Sequence, residues 1–383
     1  MIKNAVFLVR NVAPEKYGGG EIYQLKLAKK LSKSGFSPVI VSNSRKLINQ
    51  AKKEGYLTLV PPYSKNQNWS GYRNVFLPVY QVFQIRLKRW YEEVIKYYKP
   101  VVINIQSRDD MIAGTLAAKK YGVRVLWTDH ADFKNWVLWN VNSRFKNVIG
   151  KRIIRLSKEV EKVIYISEKI EEETRRLIAP RILHNTIVIN NGVEDELKKY
   201  QKIEPKEMNF VYVGRVVKDK GIEELIKAFQ KVAEKHPKVR LNIFGEGNIT
   251  YYKKMSLNCE GIVFHGMTLA PLKALAENQI FVLPSYMEGL SLALIEAAMM
   301  EKVIIATDVG GNSEIVINNE TGLLVSPGSV EELADKMCYV LDNKKDTDKM
   351  SKNARKKYEE SFDFDKIFAK KMLPLYNVDK EKE

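Results

Sequence analysis

Short apolar runs set off by turn residues recur along the first half of the chain. Ala5 to Val9, Ser37 to Ser42, Val101 to Ile105, Val123 to Trp127, Val163 to Ser167 and Thr186 to Ile189 each read as a buried strand. Stretches with helical spacing lie between them, among them Glu21 to Leu31 and Val79 to Tyr98. That alternation predicts a doubly wound parallel sheet, whose ligands collect at the carboxyl ends of the strands. The pattern resumes at Phe210 to Val213 and continues through Leu241 to Phe244, Ile262 to Phe264 and Ile280 to Leu283. A polar stretch rich in Lys and Glu, Glu194 to Glu207, separates the two sets and reads as a linker. Two cores rather than one also suit 383 residues, since single cores stop growing near ~250–300. Lys344 to Glu360 is a charged helical stretch, and the Lys-Glu tail has the composition of a disordered segment.

The turns carry the candidate chemistry. After Ile280 to Leu283, Pro284 closes the strand, and Ser285 to Glu296 reads Ser-Tyr-Met-Glu-Gly-Leu-Ser-Leu-Ala-Leu-Ile-Glu. Leu290, Leu294, Ala297, Ala298 and Met299 mark a helical apolar stripe, so Glu288 and Gly289 fall in a strand-to-helix turn. The amides of Leu290 and Ser291 then open the helix, where unpaired N–H groups and the helix dipole suit an anion. Glu296 follows Glu288 by eight positions, roughly 10–12 Å at ~1.5 Å per residue. That is about the span from a sugar across a diphosphate to a ribose. A capping Glu288 and a solvated Glu296 are the plain alternative, but the apolar neighbours of Glu296 make a carboxylate there costly without partners. Near the start, Gly18-Gly19-Gly20 lies between a strand and a helix, where a backbone can approach a phosphate closely. By itself such a triplet is a flexible turn. His130 ends the strand Val123 to Trp127 through Thr128-Asp129, a place that faces the ligand side of such a sheet.

Charge adds a further asymmetry. Residues 1–200 hold 36 Lys and Arg against 18 Asp and Glu, whereas residues 201–383 hold 27 against 28. The whole net charge of +17 therefore originates in the first half, which points to an anionic partner there. Val79 to Tyr98 sets Tyr80, Phe83, Trp90, Tyr91, Tyr97 and Tyr98 among Arg86, Lys88, Arg89, Lys96 and Lys99. Phe133 to Arg155 does the same with Trp136, Trp139 and Phe145. Such mixtures suit a membrane interface, although an aromatic stripe is more often core. No apolar run approaches the ~18 residues of a membrane span, and Ala5 to Val9 is too short for a secretory signal. Cys259 and Cys338 have no metal-ligand spacing and fit a reducing compartment, and the four histidines form no i, i+4 pair.

Glu288-x7-Glu296, with Thr307 to Glu314 and Thr321 to Val325, resembles the retaining glycosyltransferase family 4. So do Val213-Gly214-Arg215 with Lys218 to Gly221, and Val188 to Val193. The likeness covers almost the whole chain and is densest from Asn190 to Val325. It implies an α/β chain of GT-B type: two facing Rossmann-like domains with the active site in the cleft between them. Residues 1–195 would bind the acceptor and 196–360 the nucleotide sugar. Residues 361–383 would form a last helix crossing back to the first domain, followed by a disordered tail.

By the same resemblance, Arg215, Lys220 and the amides of Gly19, Gly20, Gly289, Leu290 and Ser291 would hold the leaving diphosphate. Glu288 would hold sugar hydroxyls and Glu296 the ribose, with His130 on the sugar's far side and the backbone around Met267 reading the base. His130, Glu288, Arg215 and Lys220 are the expected catalytic set. The expected reaction is transfer of a hexose, with retention and without a metal or other cofactor, from a nucleotide sugar (UDP-sugar first, GDP-sugar next). The expected acceptor is a lipid-linked or cell-envelope glycan, with the protein cytoplasmic and held at an anionic membrane surface. Nucleic acid is not an expected partner.

Where many relatives carry a second histidine, this chain has Gln106-Ser107-Arg108, and the common Gly-x-Pro after the second Glu reads Glu301-Lys302-Val303. Rival readings are a nucleotide-sugar epimerase or inverting transferase on the same fold, and a non-catalytic polyanion-binding protein. Base, sugar and acceptor are not legible in the sequence.

Overall fold

The structure, a computed structural model, describes residues 3–12, 18–62, 77–130, 146–178, 183–200, 203 and 208–377. The chain divides into two compact units, Met1–Ile189 with Phe368–Glu383, and Asn190–Ile367. Each is built on one parallel sheet.

The first unit has seven strands: β1 Ala5–Val9, β2 Ser37–Val41, β3 Leu57–Leu59, β4 Val102–Ile105, β5 Arg124–Asp129, β6 Lys162–Tyr165 and β7 Thr186–Val188. Their order is β3-β2-β1-β4-β5-β6-β7, all parallel, with Val9 opposite both Val41 and Ile105. β1 is central and every one of its side chains is fully buried. Each large aliphatic or aromatic side chain there is worth about 1.5–3 kcal/mol. The strand order reverses between β1 and β4, so the turns leaving those two strands flank an open crevice at the carboxyl edge. Four helices follow the early strands: α1 Gly19–Lys33, α2 Arg45–Lys53, α3 Leu77–Tyr98 and α4 Arg108–Lys120.

The second unit has six: β8 Phe210–Val213, β9 Leu241–Phe244, β10 Ile262–Gly266, β11 Ile280–Leu283, β12 Val303–Thr307 and β13 Leu323–Val325. Their order, β10-β9-β8-β11-β12-β13, repeats the plan of the first sheet and reverses between β8 and β11. β11 is wholly apolar and buried, with a parallel strand on each side.

Several expectations change. The helix after β11 runs over Leu292–Met299 and starts at Leu292, not Leu290. Ser291 is its N-cap, and the Ser291 hydroxyl accepts the Leu294 amide at 3.4 Å. Leu290 is buried ahead of the helix, so it extends the apolar stripe without being helical. The chain enters the second unit at Asn190, before the polar stretch Glu194 to Glu207. Asp195 is already tied to Arg355 at 2.5 Å, and Val193 bridges Asp363. The return falls at Phe368 rather than 361, and Phe368–Tyr376 packs into the first unit.

On α3, Tyr80, Phe83 and Tyr91 are core residues, packed where α3 meets α4. The exposed side of α3 carries Val79, Val82, Ile85, Arg86, Arg89, Lys96 and Tyr97. Most of the second aromatic-basic stretch, including Trp136, Trp139 and Phe145, lies outside the described residues. Among the described residues no helix is long and apolar enough to cross a membrane.

Candidate functional sites

In the second unit the turns after β8 and β11, the two strands at the reversal, meet side by side. Lys220 ends the first turn and donates through Nζ to Glu288 Oε1 at 2.6 Å. Ser285, fully buried, donates to the same oxygen at 2.7 Å. Thr307, at the end of β12, donates to the Ser285 carbonyl at 2.6 Å. Glu288 is thus fixed from two neighbouring strands, and its second oxygen has no partner among the described residues. Both charged side chains are largely buried, at 16% and 12% exposure, so the pair is held with little solvent screening. Arg215 stands more open, 3.1 Å from Asp219, with its carbonyl accepting Tyr212 OH at 2.7 Å. The Tyr286 amide bonds the Asp219 carbonyl at 3.0 Å and stitches the two turns together.

The third turn, after β12, closes over the second. Gly311 N donates to Gly289 O at 2.6 Å, and Gly310 has φ +52°. A Cβ at Gly310 would lie 1.9 Å from the Glu288 carbonyl oxygen, so only glycine fits there. Asn190 donates to Glu314 at 2.9 Å from the start of the unit. No acceptor among the described residues meets the amides of Gly289, Leu290 and Ser291. Free amides beside the Lys220 ammonium form a compact anion site. Glu296 sits half-buried on Leu292–Met299. Met267 is exposed just past β10, where His265 stacks on Phe244 at 4.2 Å and bonds Asn242 at 2.9 Å.

In the first unit, His130 directly follows β5, and its Nε2 lies 2.9 Å from Gln106 Oε1 at the end of β4. The residue standing where many family relatives have a second histidine is therefore the hydrogen-bond partner of the first. Desolvation of the ring, with the nearby Arg10 charge, pushes the His130 pKa well below its usual range and keeps the imidazole neutral. Oε1 is an acceptor, so with this amide orientation the His130 Nε2 carries the proton and Nδ1 is left as an acceptor.

The glycine turn is built around an ion pair. Glu21, almost fully buried, accepts Arg10 Nε at 2.6 Å and the Gly18 amide at 2.7 Å. The Arg10 guanidinium lies so close under Gly20 that a Cβ there would come within 2.2 Å of it. Gly19 and Gly20 thus open α1 over a charge pair that is already neutralised.

Sequence reasoning missed Arg10, Glu21, Gln106 and Ser285 as parts of the sites. Ser285 was within reach, since it precedes Glu288 by three positions in the turn. Arg10 after an apolar strand and Glu21 opening a helix were visible as charges but not as partners.

Two units of this topology make up the GT-B fold. A glycosyltransferase of Rickettsia africae aligns over 98% of both chains with a TM-score of 0.77 and 21% identity. The Anabaena protein HepE, solved in complex with UDP-glucose, aligns over 97% of this chain and 98% of its own with a TM-score of 0.70 and 18% identity. Two family profiles then match nearly end to end, Glycosyltransferase Family 4 over residues 17–197 and Glycosyl transferases group 1 over residues 193–357. The chain belongs to glycosyltransferase family 4. Its relatives include the capsular polysaccharide biosynthesis glycosyltransferase CapM of Staphylococcus aureus, 27% identical over 73% of this chain and 77% of that protein. Another is the glycogen synthase of Mycobacterium tuberculosis, 28% identical over 65% of this chain. The match spans 62% of that relative's length.

Proposed function

We propose that this glycosyltransferase moves a hexose from a nucleotide sugar, a UDP-sugar first, to a cell-envelope glycan or lipid-linked acceptor with retention of configuration. The observation that carries the reading is the Lys220–Glu288 pair set beside the amides of Gly289, Leu290 and Ser291, which meet no acceptor among the described residues. A diphosphate leaving group develops negative charge, and a fixed ammonium with aimed amides stabilises it without reorganising. Arg215 adds a second, more exposed cation. Glu288, committed to Lys220 and Ser285 through one oxygen, offers the other to sugar hydroxyls, a role of acceptor rather than nucleophile. That suits a front-face retaining reaction. Glu296 takes the ribose hydroxyls, His130 contacts the transferred sugar as a neutral imidazole, and the backbone near Met267 meets the base. The UDP-glucose complex of HepE and the names of CapM and of the Staphylococcus aureus poly(ribitol-phosphate) alpha-N-acetylglucosaminyltransferase favour a UDP donor and an envelope acceptor.

These cations and amides supply the neutralising charge themselves, so transfer should proceed at the full rate in excess EDTA. Loss of rate restored by Mn²⁺ or Mg²⁺ would overturn metal independence. A thermal-shift panel of UDP-, GDP- and ADP-sugars tests the donor, because a ligand that binds only the folded state raises Tm. NMR of the first product's anomeric proton tests retention.

The basic first half and the exposed Val79, Val82 and Ile85 beside Arg86, Arg89 and Lys96 support a cytoplasmic protein docked on an anionic membrane. Each basic residue near such a surface is worth on the order of 1 kcal/mol. Flotation with anionic vesicles at low salt should carry the protein up, and high salt should release it. Equal, negligible binding to anionic and zwitterionic vesicles removes this docking.

A further inference from the structure

The segment Phe368–Tyr376, with which the chain re-enters the first unit, docks on the two strands that present Gln106 and His130. Fully buried Tyr376 accepts Asn104 Nδ2 through its hydroxyl at 2.6 Å, and Asn104 Oδ1 accepts Thr128 Oγ1 at 2.9 Å. Asn104 lies two residues ahead of Gln106, and Thr128 two ahead of His130. Arg124, which opens β5, donates to the carbonyls of Leu375 and Asn377 at 3.0 and 2.7 Å. Above this layer, Met372 accepts the Tyr23 hydroxyl at 3.0 Å. The Tyr23 ring stands edge-on to His130, with centroids 5.5 Å apart and planes at 71°. Tyr23 and Met372 are both buried. The imidazole is therefore fixed twice, by the Gln106 hydrogen bond and by a tyrosine that the returning segment holds in place.

We propose that Tyr23, held by Met372, is a positioning residue for His130: it sets the orientation of the imidazole without touching substrate. The effect on transfer rests on the reading of His130 as a sugar contact; the positioning itself does not. Removing the ring opens a space into which the imidazole can turn away from Gln106. A displacement of about an ångström at a reacting group can cost up to a hundredfold in rate. Nucleotide binding, which the proposed function rests on Lys220, Arg215, Glu296 and the Gly289–Ser291 amides of the second unit, should be untouched.

The test compares the parent with Tyr23→Leu, Tyr23→Phe, His130→Ala and the Tyr23→Leu/His130→Ala double variant. For Tyr23→Leu, kcat should fall about tenfold, while the donor KM and UDP affinity stay within about twofold. Tyr23→Phe keeps the ring and loses only the bond to sulfur, so its loss should be smaller, about threefold. On the His130→Ala background, Tyr23→Leu should cost nothing further, because its effect runs through the missing imidazole. A full additional loss on that background overturns the proposal, as does parent-like kcat in Tyr23→Leu where His130→Ala is impaired. The ring resonances of His130 give a readout independent of activity. They should move in Tyr23→Leu and to a lesser extent in Tyr23→Phe, and unchanged resonances in both overturn the positioning role. Parent-like transfer by His130→Ala would instead remove the sugar contact, leaving the resonances to decide on Tyr23. If the leucine variant fails to fold, the phenylalanine variant carries the same comparison.

Discussion

The two units share one plan and use it in opposite electrostatic ways. Both sheets reverse order beside a central strand, β1 in one and β8 in the other, and both place their polar turns at that reversal. In the second unit one turn ends in Lys220, with an exposed Arg215, and the next carries three amides that meet no acceptor among the described residues. In the first, the matching cation, Arg10, is consumed internally by Glu21, and the histidine beside it stays neutral. A Rossmann-like scaffold thus fixes where a ligand can sit, and the partners of its cations decide which part of the ligand is held. On the proposed reading the second unit takes the diphosphate and the first the hydroxyl groups, although the first belongs to the more basic half of the chain.

Substitutions that take charge from one site and not the other sharpen the contrast. The largest effect is expected from Lys220→Ala, which removes the fixed ammonium: kcat should drop by roughly 10²–10³, the cost of one preorganised donor at a developing charge. Steady-state assays check this, and a loss below tenfold would place the diphosphate elsewhere. Next comes Glu296→Ala, for which the donor KM should rise about ten- to a hundredfold, matching the ~1.5–3 kcal/mol of a charged hydrogen bond. An unchanged KM in a folded variant would end the ribose role.

Arg10→Ala should behave differently. It strands the buried Glu21 carboxylate, so denaturant unfolding should show a loss of about 3 kcal/mol, while UDP affinity remains near parental. It should also raise the His130 pKa, since the Arg10 charge helps depress it. The smallest effect is in pH dependence. Well above pH 6.5 the ring is neutral both folded and unfolded, and its contribution to stability is complete. As pH falls below 6.5 the unfolded ring gains a proton that the folded ring refuses, so stability declines down to the lowered folded pKa. His265, also depressed by desolvation, adds in the same direction. His130→Gln should flatten the slope of denaturation midpoint against pH between 6.5 and 5, and an unchanged slope would show that the folded ring titrates normally.

The strands were legible because a parallel strand covered on both faces must be apolar throughout, as Ala5–Val9 and Ile280–Leu283 are. Turn residues next to them, Glu288 and Gly289 above all, could be placed from the change of period. The helix start was misread because Leu290 continues the stripe, although Ser291 followed three positions later by a buried Leu294 amide is an ordinary cap. The pairings were not legible. Gln106 and His130 are 24 positions apart, and Lys220 and Glu288 are 68 apart. Which charges meet depends on strand order, and strand order is not written in local pattern. On α3, spacing showed aromatics and cations together but not which face turned inward.

The division of the chain also bears on how the protein is made. The second unit is one continuous stretch, Asn190–Ile367, and can fold as soon as it leaves the ribosome. The first is interrupted: Asn104 waits for Tyr376, and Tyr23 for Met372, until the whole intervening unit has been translated. Synthesis and completion therefore run in opposite order. The nascent first sheet spends that interval with the docking face for Phe368–Tyr376 uncovered, leaving apolar surface open to a chaperone.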